Sequence, residues 1–222
     1  MLIKEIRLQT NQLSELYYYY RNVLALPTIL LDKNCISITA GKSRLIFEES
    51  PGFGNPFYHF AFNIPSNKFE EALELMKNKV NLIWLEDYNS YIADFVTWNA
   101  KSFYFLDPAG NILELIARFD LKDIVNENFS GSYILNVSEV GLVMPADGFN
   151  DGVEELLHKY PLQYFSKQVP FEHFRAIGDD TGLFIIVPEN RIWFATKDAR
   201  SAIFPIAVNF RVNGKACQLF LP

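Results

Sequence analysis

Apolar and polar positions along the chain alternate, then switch to a helical period, then alternate again. Residues 2–10 (Leu-Ile-Lys-Glu-Ile-Arg-Leu-Gln-Thr) read as a half-buried strand, with Ile6 and Leu8 on one face and Glu5, Arg7 and Gln9 on the other. Asn11 can cap a helix over about 12–24, which stops near Leu24-Ala25-Leu26-Pro27. Short β patterns follow at about 28–32, 35–40 and 43–49, the last two joined by a turn at Gly41-Lys42. The order is βαβββ.

The same order restarts with a strand at 57–64 and a helix over about 67–79, opened by Pro65-Ser66-Asn67 and carrying Phe69, Ala72, Leu73 and Met76 at helical spacing. Strands fit near 81–86, 100–106 and 111–118, with Asp107-Pro108-Ala109-Gly110-Asn111 turning between the last two. A weaker third copy has a strand at 138–144, a helix at 148–159, and strands near 162–166, 172–177 and 183–187. A final strand pair is expected at about 192–195 and 204–212. The polar stretch 119–132 reads as a linker. The expected organisation is a main domain, 1–122, holding two βαβββ modules (about 1–50 and 57–118). A second unit, 123–222, holds the degenerate module and the extra strands.

This internal repeat is the most informative feature. His59 and Glu139 each lie six residues before a helix-opening proline, Pro65 and Pro145, and Glu5 lies six before Asn11. The turn at 107–111 has a counterpart in Asp179-Asp180-Thr181-Gly182-Leu183, a register that pairs Glu114 with Ile186. A unit of this size cannot bury its own sheet face, so copies must pair. The fold class expected is α+β, with paired modules forming a cup-shaped mixed sheet.

Composition narrows the partners. Half of the 222 residues are hydrophobic, enough for a sizeable core, and there are 20 Phe, 11 Tyr and 3 Trp. The net charge is −6 without a basic run, which argues against nucleic acid or an anionic membrane as partner. No apolar run approaches the roughly 18 residues needed to span a bilayer. The N-terminal Met1-Leu2-Ile3-Lys4-Glu5-Ile6 does not read as a signal peptide. Cys35 and Cys217 lack motif spacing and read as reduced thiols, so a cytoplasmic location is expected.

The segment from Trp98 to Leu115, with Asp107-Pro108-Ala109-Gly110-Asn111 followed by Glu114-Leu115, resembles the closing hairpin of a vicinal oxygen chelate module. Tyr19-Tyr20-Arg21-Asn22-Val23-Leu24-Ala25-Leu26 resembles the end of that superfamily's first helix, with Ala25 at a position usually held by Gly. The superfamily includes glyoxalases, bleomycin-resistance proteins and ring-cleaving dioxygenases. The resemblance covers about 1–118 well and 133–187 weakly.

It implies a cup enclosing a divalent metal, with ligands from the first and last strand of each module. Those positions fall on Glu5, His59 and Glu114, and near Leu45 or Phe47 for the last strand of module one. Ring-cleaving members commonly use His, His and Glu; here Glu5 stands in the place of the first His. Alternation puts His59 with Ala61 and Asn63, away from Phe60 and Phe62. Two converging carboxylates repel unless a cation or a proton compensates them. Fe2+, Mn2+, Zn2+ or Ni2+ would suit such a set, acting as a Lewis acid on adjacent substrate oxygens.

Plainer readings exist for each residue: a structural His59, a solvated Glu5, a salt bridge from Glu114 to Arg7 or Arg118. Arg7, Tyr58, Asn63, Trp98, Asn99 and Tyr104 are the substrate-contact candidates, the aromatics among them equally able to fill the core. Glu139 matches the His59 position, but Ile186 stands where a second Glu is needed. The third module therefore reads as a cover or assembly element. The leading expectation is a metal-dependent enzyme acting on a small molecule, a dioxygenase or a glyoxalase-like lyase or isomerase. The rival is a metal-free small-molecule binding or resistance protein of the same fold. Module one could pair in cis or, as a homodimer, with a partner chain.

Overall fold

The alternating segment that opens the chain is strand β1 (Leu2–Thr10), with Ile3, Ile6 and Leu8 fully buried. The structure, a computed structural model, describes residues 1–50, 52 and 54–222. The helical period after Asn11 gives α1 (Leu13–Tyr18), which runs on as a wider π turn over Tyr19–Val23. Leu13, Leu16, Tyr20 and Leu24 face the core while Tyr18 is exposed. The chain leaves the helix through Ala25 in the left-handed region, φ 56°. Strands β2 (Thr28–Asp32), β3 (Cys35–Ala40) and β4 (Ser43–Glu49) complete the module. Gly41, at φ 58°, lets the β3–β4 turn press on the Leu135 carbonyl; a Cβ there would lie 2.1 Å from that oxygen.

The second module is β5 (His59–Ile64), α2 (Phe69–Lys77), β6 (Ala93–Phe95), β7 (Ala100–Leu106) and β8 (Ile112–Arg118). The strand expected at 81–86 is reduced to isolated bridges, Leu82 to Phe105 and Leu85 to Ser90. The chain turns at Asn89, φ 45°, and returns as β6, which takes the edge place instead. The third copy is β9 (Asn136–Met144), α3 (Phe149–Lys159), β10 (Arg175–Asp179) and β11 (Gly182–Pro188). Its expected strand near 162–166 is one bridge, Tyr164 to Ile177. The partner of the segment 204–212 is not 192–195. Asn213 and Gly214, at φ 50° and 77°, turn a hairpin between β12 (Ile206–Val212) and β13 (Lys215–Leu221).

Two mixed sheets result. One has the order β13-β12-β1-β4-β3-β2 and the other β10-β11-β9-β5-β8-β7-β6. Modules one and two, expected to share a sheet, lie in different ones. The first strand of each module offers an open edge; β12 closes that of β1 and β9 closes that of β5, both antiparallel. The sheets face each other across one core, with Ile6, Phe47 and Phe210 meeting Phe60, Leu115 and Phe184. The far face of the seven-stranded sheet is covered too, by Trp98, Phe165 and Trp193. Strands β5, β8 and β11 are therefore buried along their whole length and carry no solvent face. Among the described residues, no helix is long and apolar enough to cross a membrane.

Candidate metal centre and its cavity

Ala61, in the middle of β5, is fully buried and has almost no side chain. The parallel register with β8 sets Glu114 beside it, and the antiparallel register with β9 sets Glu139 on its other side. His59, two residues earlier on β5, shares that face. Three adjacent strands thus deliver three buried side chains to one place, with one ligand atom from each lying within 4.8 Å of the others.

The donors are oriented differently. His59 Nδ1 lies 3.1 Å from the Ile112 carbonyl, so Nδ1–H donates and Nε2, 3.7 Å from Glu114 Oε2, keeps its lone pair. Burial pushes this imidazole down to about 4, so it is neutral at neutral pH. Glu114 Oε1 is buried without a hydrogen-bond partner. Burial, and then the charge of Glu139, push the Glu114 carboxyl well above the usual carboxylate range. Glu139 is also raised by burial, although Arg118 pulls it back.

Arg118 is 1% exposed and donates to Glu139 and, at 3.2 Å, to Ser138 Oγ. It also lies 3.6 Å from Asp180 and stacks 5.4 Å from the Trp98 ring. Asp180 is itself held by Lys167 at 2.7 Å. Arg118 offsets one of the two central carboxylates. The other needs a cation or a proton.

His59, Glu114 and Glu139 line a cavity of about 230 Å3 whose other walls are mostly aromatic: Phe95, Trp98, Tyr104, Phe174, Trp193 and Phe194. The His59 ring lies 5.4 Å from Trp193 and 6.4 Å from Tyr104, centroid to centroid. Gly141 on β9 makes room for Trp193; a Cβ there would lie 2.6 Å from its ring.

The structure brings His59 and Glu114 together, but not Glu5. That carboxylate lies on the other sheet, bonded to Arg7 at 3.0 Å, Arg44 at 2.8 Å and Asn209 at 3.2 Å. Arg7 goes with it, also pairs with Glu48, and is not among the residues that line the cavity. Trp98 and Tyr104 line the cavity. Tyr58 instead donates to the Pro205 carbonyl and accepts from the Gln9 N–H. Asn63 donates to the carbonyls of Asp180 and Thr181. Asn99 holds a left-handed turn and donates to Asp120.

The counterpart of Glu114 in the third module is Ile185, not Ile186. His59 pairs with Ile112 and Glu139 with Leu183, and the tighter turn before β11 shifts the register by one. Ile185 lines the cavity, whereas Ile186 faces the core. Glu139 has a signal in the repeat, its spacing to Pro145, but its meeting with His59 depends on which modules pair. Arg191, Trp193 and Phe194 come from a loop with no motif.

No protein-family model matches the chain, and no curated protein matches its sequence. Solved structures do match. A candidate dioxygenase from Bacillus subtilis subsp. subtilis str. 168 is similar over 99% of this chain and 84% of its own, at 14% identity and a TM-score of 0.58. A lactoylglutathione lyase from Agrobacterium tumefaciens is similar over 52% of this chain and 92% of its own, at 20% identity and a TM-score of 0.41. A fosfomycin resistance protein from Listeria monocytogenes, solved with Mn(II) and sulfate, is similar over 53% of this chain and 89% of its own, at 19% identity and a TM-score of 0.40. The whole-chain likeness shows the fold, which is that of the glyoxalase, bleomycin-resistance and dioxygenase group, the vicinal oxygen chelate fold.

Proposed function

We propose that this chain is a metal-dependent enzyme of the vicinal oxygen chelate type, with His59, Glu114 and Glu139 as its protein ligands and a small molecule presenting adjacent oxygens as its substrate. The observation that carries this reading is the buried donor set itself: His59, Glu114 and Glu139 each bring one ligand atom within 4.8 Å of the others, and Glu114 Oε1 is buried without a hydrogen-bond partner. One imidazole and two carboxylates suit Fe2+, Mn2+ or a similar dication. Such an ion supplies, when bound, Lewis-acid polarisation of two adjacent substrate oxygens.

The chain's own residues do the rest. The Ile112 carbonyl fixes the His59 tautomer and ring plane. Arg118 holds Glu139 in place from behind. Burial first, then the charges of Glu114 and Glu139, hold the Tyr104 phenol far above its usual range, so it stays protonated and serves as a donor. The aromatic walls exclude water and grip a planar ring. Cleavage of a catechol-like ring is the reaction to assay first, with lyase and isomerase chemistry next.

The test is elemental analysis after loading with Fe2+, Mn2+, Zn2+ and Ni2+ in turn. One ion per chain is expected. Losing a ligand costs more than the roughly 10–100-fold of an outer-shell change, so His59→Ala and Glu139→Gln should each weaken binding by at least about 100-fold. Glu5→Gln should leave binding unchanged. Failure to take up any of the four ions would sink the proposal and leave a metal-free binding protein with a protonated Glu114.

A further inference from the structure

Arg191 lines the same cavity, on the strap of chain between β11 and β12. Among the described residues its guanidinium makes no hydrogen bond or ion pair with another side chain. Its one partner is the Phe174 ring, 5.6 Å away. Three arginines do reach carboxylates: Arg7 has Glu5 and Glu48, Arg44 has Glu5, and Arg118 has Glu139 and Asp180. Burial lowers the Arg191 pKa and no neighbouring carboxylate raises it. The strap is firmly pinned. Arg191 N–H donates to Ser201 Oγ at 2.9 Å, its carbonyl accepts from Ser201 N–H at 2.7 Å, and Trp193 N–H donates to the Ala199 carbonyl at 2.9 Å. Extended alternation over this strap sends Arg191 and Trp193 to one side, and both line the cavity.

A half-buried guanidinium over an aromatic ring has lost part of its hydration without gaining an anion. Glu114 and Glu139 share the cavity wall, but Arg191 is bridged to neither. The planar fork of an arginine matches a carboxylate with two parallel hydrogen bonds. A cavity of about 230 Å3 is smaller than the roughly 300–1,000 Å3 of drug-sized pockets, so a single ring is the size that fits.

We propose that Arg191 binds a carboxylate on the ligand, so that the substrate class is a single-ring aromatic carboxylate whose adjacent oxygens face His59, Glu114 and Glu139. The assignment of the oxygens rests on the function proposed above; the carboxylate site does not. Trp98 and Trp193 line the cavity and report occupancy by their fluorescence.

The experiment titrates metal-chelated protein with benzoate and with its neutral counterpart benzamide. Wild type should bind benzoate at least tenfold more tightly. Arg191→Gln should remove that preference while keeping benzamide affinity, which shows the cavity still folded, and Arg191→Lys should retain part of it. Equal binding of the two probes by wild type, or a preference that survives in Arg191→Gln, overturns the proposal. Tighter binding of phenylphosphonate than of benzoate overturns the carboxylate assignment. Metal uptake measured on the same samples separates the two readings. A benzoate preference without metal uptake defeats only the metal centre, and metal uptake without the preference defeats only the carboxylate site.

Discussion

Ala25 is exposed and stands at φ 56°, where an L side chain costs about 1–2 kcal/mol. Glycine there loses roughly 0.5–1 kcal/mol of chain entropy but no packing. Ala25→Gly should therefore raise stability by about 0.5–1 kcal/mol in urea unfolding; a loss would mean the methyl is supported by something other than contact. Asp107 is a second residue with its own signature. Its carboxyl accepts from Tyr20 O–H, from the N–H groups of Ala109 and Asn111, and from the Asn111 amide, yet burial outweighs them and pushes it up to about 6. The folded state thus holds a proton that the unfolded chain gives up near 3.8. Stability from this group is present below that value and is lost as pH rises to about 6. The full shift corresponds to roughly 3 kcal/mol. Unfolding free energy measured from pH 3.5 to 7 should fall through that window, and Asp107→Asn should flatten the fall. At this scale the sequence was readable where a repeat or motif marked the residue. His59, Glu114 and the Asp107 turn were so marked. Arg118 and Arg191 were not, because a buried arginine is defined by what surrounds it in space.

The elements were legible where the pattern had a period and obscure where pairing overrode it. β1, α2 and the β7–β8 hairpin follow directly from alternation, helical spacing and the Asp107–Asn111 turn. The segment 81–86 holds a short apolar run, Leu82 to Leu85, but finds no continuous partner, since β6 occupies the edge of β7. The β12–β13 hairpin carried a legible signal, Asn213-Gly214, a pair suited to positive φ at both central positions. Strand β5 carries the most consequence, because Ala61 separates Glu114 from Glu139. A valine there would keep the strand, as β-branched residues suit it, and would fill the gap between the carboxylates. Ala61→Val should cost about 1–3 kcal/mol from overpacking and abolish metal uptake while the protein stays folded. Retained uptake would mean the carboxylates do not converge over Ala61.

At the scale of the molecule the decisive choice is which module pairs with which. Pattern alone cannot make it, because three first strands offer three similar edges, and the linker 119–132 is long enough to allow more than one partner. The outcome separates two faces. On the six-stranded sheet Glu5 is neutralised by Arg7 and Arg44. On the seven-stranded sheet Glu114 keeps an unpartnered oxygen beside a cavity. Among the described residues only the second face gathers such a donor set, so the proposed metal centre would hold one ion per chain. The first face depends on the terminal hairpin, which supplies the fourth buried edge. Ile206, Val208, Phe210 and Leu219 are each at most 5% exposed, and burying four such side chains is worth roughly 6–12 kcal/mol. That is the size of a whole domain's net stability, about 5–15 kcal/mol. A chain ending at Pro205 should therefore lose its cooperative unfolding transition and, with the β1 edge uncovered, associate or precipitate. Sedimentation and urea unfolding would measure both. A monomeric truncated chain with an unchanged transition would show that module one is stable without β12 and β13, and that the hairpin serves some purpose other than closing the sheet.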